Sequence, residues 1–252
     1  MKTLLHGMSW VEAKEYFEKN ETAILPVGSN EQHGPANPLG TDHFIAKAIG
    51  EEVGKRTGTM CLQVVPFGVS GNHRQFWGTI FVSPEVFKEY IRDVCLSLHY
   101  FGVNKIVVVN GHGGNLPSLQ ELSRELRDDG VFVSVFEWWP AAAKLIPSLF
   151  AVEERRHGCA EETSMNLFLR SEDVDMNKAV DVELKKHAGI GEGIFLPLDS
   201  VDVTESGVFG KQSSASAEKG RLVFEAVAKE LCDHVEKMKR MKIEDLISQP
   251  KV

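Results

Sequence analysis

Apolar positions along this chain alternate between two spacings. Residues 22–27 (Thr22-Ala-Ile-Leu-Pro-Val27) and 105–109 (Lys105-Ile-Val-Val-Val109) are continuous apolar runs of strand length, and 61–66 and 131–136 read the same way. Between them the spacing changes to three and four residues. Over 41–57, Phe44, Ile45, Ala48, Ile49 and Val53 share one helical face. Ser9 with Glu12 three residues on forms a capping-box signal for a helix over 10–20. Ser83-Pro84-Glu85 opens a long helix that Gly102 ends after Phe101. Further helices are expected over 117–129, 161–170 and 215–240. Strands alternating with helices predict an α/β fold, a mainly parallel sheet with helices on both faces. No internal repeat or linker divides the chain, so 1–252 reads as one domain. The Gly-rich stretch 189–210 reads as a functional loop.

Composition narrows the classes. The 252 residues carry a net charge of −8, with 42% hydrophobic and 25% charged residues. That balance excludes disorder and argues against nucleic-acid binding, which favours a basic stripe. The four cysteines, Cys61, Cys95, Cys159 and Cys232, form no CxxC pair and fit a reducing cytosol. The start MKTLLHGMSW does not resemble a signal peptide, and no apolar run reaches membrane-span length, so a cytoplasmic protein with no membrane contact is expected.

The polar chemistry clusters where strands end, which in parallel sheets is where ligands bind. After the first strand come Glu31, His33 and, nine residues beyond His33, Asp42 at a helix start. Glu31 and His33 are two apart and share a direction in extended chain. Carboxylates with imidazoles are ligand types for zinc, iron or manganese. After the 105–109 strand comes Asn110-Gly-His112-Gly-Gly-Asn115, which lacks both the Lys-Ser/Thr of a P-loop and the spacing of a dinucleotide fingerprint. The third block is His157-Gly-Cys-Ala-Glu161-Glu162-Thr-Ser164. Here His157 is a candidate acid/base, Glu162 a ligand or proton shuttle, and Glu161 complements the dipole of the helix that follows. His73, Trp138 and Trp139 are candidate substrate contacts, and Arg74 is the one cation placed near the centre. His187 reads as a surface residue. Ser70, Ser164 and Cys159 lie in no nucleophile motif, so covalent catalysis is set aside.

These blocks together, Glu31-Gln-His33-Gly-Pro, Thr41-Asp42, Asn110-Gly-His112-Gly-Gly-Asn115 and His157…Glu162-Thr-Ser, resemble the creatininase (creatinine amidohydrolase) family over about 25–164. The resemblance implies a three-layer α/β/α fold and two divalent ions per subunit (Fe2+, Zn2+ or Mn2+). It further implies that Glu31 and His112 hold one ion and His33 the other, that Asp42 bridges them, and that His157 is the acid/base. It also implies a homo-oligomer, such as a hexamer, and hydrolysis of a small-molecule amide by metal-activated water. Creatininase proper carries an acidic residue two positions after the third-strand histidine, where this chain has Gly114. Either Glu162 substitutes as a ligand or the second site is weak. The GHGGN form is closer to an archaeal formamide hydrolase acting on a formylaminopyrimidine ribonucleotide, or to the mycofactocin peptidase branch, than to creatininase. Other readings are a hydrolase of a different bond and a non-catalytic metal- or nucleotide-binding module.

Overall fold

The computed structural model describes residues 2–185 and 196–248. Four strands form one sheet in the order β2-β1-β3-β4: β1 (Thr22–Val27), β2 (Met60–Cys61), β3 (Lys105–Asn110) and β4 (Phe132–Glu137). Every pair is parallel, with Thr22 opposite Lys105 and Lys105 opposite Phe132. Side chains alternate across β1 and β3. Ala23, Leu25, Val27, Ile106 and Val108 enter one core with α1 (Trp10–Phe17), α3 (Pro84–Tyr100) and α4 (Leu116–Glu125). Ile24, Val107 and Val109 enter the other with α2 (Thr41–Thr57), α5 (Trp138–Leu145), α6 (Ala160–Leu169) and α8 (Ala217–Arg240). The expected three layers, α/β/α, are therefore present. Two short helices, α7 (Ser200–Val203) and α9 (Ile243–Leu246), complete the α-helices among the described residues.

The helix starts follow the local sequence. The Ser9 hydroxyl accepts from Glu12 N while the Glu12 carboxylate accepts from Ser9 N, and Ser83 caps α3 with Pro84 in its first turn. α1 and α4 are shorter than expected, because 18–20 and 126–129 turn instead of continuing. The largest departure is at 61–66. Only Met60 and Cys61 form ladder, and the chain rejoins β1 at an isolated bridge between Val65 and Val27. Leu62 N donates to Ile24 O and Val65 N to Pro26 O, so three steps on one strand face two on the other. Pro26 has no N–H to offer on that side, which suits a bulge. α5 was not expected. Its Pro140 occupies the first turn, where a missing N–H costs no helical bond.

The strand order places the site. The chain leaves β1 toward β2 on one side and later adds β3 on the other, so the connections after β1 and β3 diverge. Their carboxyl ends open a crevice at this switch point. Gly111, just beyond β3, lets α2 close in, since a Cβ there would run into the Asp42 carbonyl oxygen. His187 and residues 189–195 of the expected loop lie outside the described residues. Among the described residues, no helix is long and apolar enough to cross a membrane.

Tyr16 ties the layers at the strand starts. Its buried hydroxyl donates to Thr22 O and accepts from Met60 N, both at 2.9 Å. Tyr16→Phe leaves that amide without a partner and is expected to cost about 1–3 kcal/mol, read as a lower urea midpoint at unchanged slope.

Candidate metal centre

Glu31 and His33 follow β1, Asp42 lies in the first turn of α2, His112 follows β3, and His157 and Glu162 flank the start of α6. The fold brings all six to the crevice, as it does His73, which sits in a 3-10 turn over Gly71–His73. Asp42 is the shared member. Its Oδ1 lies 2.8 Å from His33 Nε2 and its Oδ2 lies 3.2 Å from His112 Nδ1. Glu31 Oε1 is 3.2 Å from the same His112 nitrogen, and Glu162 Oε2 is 3.8 Å from His33 Nε2. Two ligand-like triads result, Glu31–Asp42–His112 and His33–Asp42–Glu162, and a third set joins Glu31, His33 and His157.

Each histidine is aimed by its far nitrogen. His33 Nδ1 donates to Glu31 O at 3.1 Å and His112 Nε2 to Val69 O at 3.0 Å. The opposite nitrogens therefore face the carboxylates, the orientation that metal-ligating imidazoles adopt. Both Glu31 oxygens, His33 Nε2 and Asp42 Oδ2 are buried and make no hydrogen bond. His33 Nε2 is close to Asp42, yet the ring N–H direction misses the oxygen. Buried polar atoms left in this state are costly unless something else fills the space they face. These residues fit divalent cations.

The proton affinities agree. Burial alone lowers His33, but the Asp42 and Glu162 carboxylates more than offset it and push it up to about 10. His112 is held well above the usual imidazole range against the same burial, chiefly by Glu31 and then Asp42. Burial raises Glu31 and Asp42, yet the positive His112 beside Glu31 and the positive His33 beside Asp42 hold both below the usual carboxylate range. Protons thus occupy the nitrogens where cations would bind. Burial pushes Glu162 up to about 7, with His33 opposing it and Asp42 adding to it. His157 goes the other way, well below the imidazole range, through burial and then the neighbouring His33 and His73.

Several expectations change at the rim. Trp138 is 1% exposed within the α2–α8 core, so it walls no ligand, while Trp139 lines the cavity. Arg74 pairs with Asp199 at 3.0 Å away from the cavity lining, and the cation that does line it is Arg155. Glu161 stands in the first turn of α6 but is engaged by Arg155, while Glu162 Oε2 accepts from Gly158 N at 2.6 Å. Residue reading alone did not single out Arg155, Phe209 or Gln32. Phe209 reaches the cavity from the end of the 189–210 stretch expected to be a functional loop, though that expectation named no residue in it, whereas Gln32 stood in plain view inside the Glu31–His33 pair.

The cavity encloses about 280 Å³. The creatininase sequence profile, described as creatinine amidohydrolase, matches residues 6–235. The chain belongs to the creatininase family. The family includes hydrolases acting on carbon–nitrogen bonds, creatinine amidohydrolase among them. A mycofactocin precursor peptide peptidase of Mycobacterium tuberculosis is 30% identical, covering 81% of this chain and 80% of the relative. A 3-dehydro-scyllo-inosose hydrolase of Thermotoga maritima is 28% identical over 92% and 81%. A 2-amino-5-formylamino-6-ribosylaminopyrimidin-4(3H)-one 5'-monophosphate deformylase of Methanothermus fervidus is 27% identical over 68% and 64%. Among solved structures, a creatinine amidohydrolase superposes with TM-score 0.80 at 25% identity, covering 95% of this chain and 99% of that one. Relatives with different named substrates are thus similar in sequence to this chain.

Gly114 leaves no room for a side chain. A Cβ there would run into the Val69 carbonyl oxygen and lie 2.5 Å from His112 Nε2, the pair that aims His112. Gly114→Ala is expected to cost about 1–3 kcal/mol by overpacking, seen as a lower melting temperature together with reduced metal content.

Cation binding must also expel protons. At pH 7, filling both triads with Zn2+ is expected to release about two protons, from His33 and His112, with Glu162 adding a fraction. Calorimetry in buffers of different ionisation enthalpy reads this number, which should fall as pH approaches 10 while apparent affinity rises. The sign for the metal-free protein follows from linkage. The folded value of His33 is raised, so its contribution to stability is full below about 6.5 and is lost as pH climbs through about 10.

Proposed function

We propose that this chain is a two-metal amidohydrolase in which Glu31, Asp42 and His112 hold one cation and His33, Asp42 and Glu162 the other. The observation that carries this reading is the pair of buried triads sharing one carboxylate. When bound, such cations supply Lewis-acid polarisation of the amide carbonyl and make water a nucleophile near neutral pH.

The remaining work falls to this chain's own groups. His157 is neutral at pH 7, and its Nδ1 lies 3.7 Å from Glu31 Oε1. It takes the proton of the attacking water at Nδ1 and returns it to the departing nitrogen, which is a poor leaving group until protonated. Glu162 is assigned to the metal because its Oε2 is already oriented by Gly158 N toward the His33 side. Trp139 and Phe209 line the cavity and exclude water around a flat amide, and Arg155, held by Glu161 and by the Ile146 carbonyl, borders the same space.

A cavity of about 280 Å³ suits a heterocycle-sized amide, which keeps the formylaminopyrimidine ribonucleotide as the first candidate substrate. A second reading, a peptide amide, has its own support: the peptidase relative aligns over more of the chain than the deformylase does. Formate release from the ribonucleotide, run anaerobically with Fe2+, Zn2+ or Mn2+ added separately, separates the two. Metal-dependent formate supports the first reading. Turnover of small peptides without formate supports the second, and no amide hydrolysis by protein with confirmed bound metal contradicts both.

Two variants probe the roles. Asp42→Ala is expected to lose metal and turnover together, and retained metal with turnover contradicts the shared carboxylate. His157→Ala is expected to keep its metal while kcat falls about 100-fold, measured beside elemental analysis.

A further inference from the structure

Gln32 lies between two groups assigned to the metals, yet that assignment gives its side chain no task. The side chain is buried, and its amide orientation is fixed twice over by main-chain groups. Gly34 N can only donate, and it meets Oε1 at 2.9 Å. Gly207 O can only accept, and it meets Nε2 at 3.1 Å. Nε2 therefore carries two protons and spends one on Gly207 O. Two histidine nitrogens compete for the other, His73 Nδ1 at 2.8 Å and His157 Nε2 at 2.9 Å.

The Gln32 main chain decides between them. Its carbonyl oxygen lies 2.8 Å from His157 Nε2 and can only accept, so that nitrogen carries a proton and takes none from the amide. The remaining amide proton goes to His73 Nδ1, which must be bare. The His73 proton then sits on Nε2, which lies 3.5 Å from Glu31 Oε1. The Ser200 hydroxyl, 2.9 Å from His73 Nδ1, turns to suit. The rings are crowded together at a tilt, with centroids 4.3 Å apart and planes at 40° for His33–His157, and 4.4 Å and 38° for His73–His157.

We propose that Gln32 is a positioning residue that sets the proton placement on two histidines at once, through its carbonyl for His157 and its side-chain amide for His73. His157 is left with a bare Nδ1 facing Glu31, and His73 with an N–H facing the same carboxylate. The inference deepens the proposed amidohydrolase reading, which needs His157 to accept a proton at Nδ1. It also gives His73 a duty, to hold the Glu31 carboxylate in place, rather than leaving it as a substrate contact.

The test is nitrogen NMR of protein labelled at histidine with 15N, metal-free and loaded with diamagnetic Zn2+. Both His73 and His157 are expected as single tautomers protonated at Nε2. Gln32→Glu keeps the acceptor for Gly34 N but replaces the donor, so His73 Nδ1 is expected to gain a proton while His157 Nε2 stays protonated. Gln32→Leu should leave His73 in a mixture of tautomers. In either variant kcat on the amide substrate is expected to fall about 10–100-fold, as for other groups that orient a metal site, with KM little changed. A wild-type His73 protonated at Nδ1, or a His73 signature unmoved by Gln32→Glu, overturns the proposal. The wild-type spectrum decides even if a variant fails to fold. The ring signatures need no substrate, so a failed amide assay would count against the amidohydrolase reading and leave this one intact.

Discussion

The site depends on one carboxylate shared by two imidazoles. Asp42 is 2% exposed and lies between His33 and His112, with Glu31 and Glu162 completing the sets on either side. Three carboxylates buried together repel one another, and each loses its hydration. Positive charge must answer them. Part comes from the first turn of α2, whose N-terminal dipole favours an anion where Asp42 sits. The rest comes from protons on His33 and His112 or from cations in their place. The unpaired buried oxygens of Glu31 and Asp42 are what a proton-only arrangement leaves over.

The scaffold holds this charge cluster by close approach of backbone. The switch point between β1 and β3 opens the crevice, and α2 then presses against the chain just beyond β3 at Gly111. Main-chain carbonyls of Glu31, Gln32 and Val69 each anchor one imidazole by the nitrogen facing away from the centre. Ring orientation is therefore a property of the backbone path after β1 and before α3. Segments remote in sequence close the far wall, where Ser200 meets His73 and the Phe209 ring stands 5.3 Å from His157.

Much of this was legible in residue order. Continuous apolar strands, capped helices and polar blocks at strand ends were enough for the layers and for the six converging residues, because these signals are local. Most of the misses come from contacts made by groups far apart in sequence. The 61–66 run looked like a strand, but Pro26 on the neighbouring strand withholds a donor and the ladder bulges. Trp138 and Trp139 looked equivalent, but the helical turn over Trp138–Leu145 sends one into the core and leaves the other at the cavity. Arg74 looked like the cation of the site, but Asp199 draws it to the rim. Gln32 was passed over because alternation in extended chain points it away from Glu31 and His33, and the wall it meets is built from His157 and Gly207.

The most direct measurement is anomalous X-ray diffraction from crystals of the wild-type protein soaked in Mn2+ or Zn2+. Two anomalous peaks are predicted, one between Glu31, Asp42 and His112 and the other between His33, Asp42 and Glu162, with the Asp42 carboxylate touching both. A single peak away from Asp42, or no peak in a crevice whose residues are ordered, would contradict a metal pair built on that shared carboxylate.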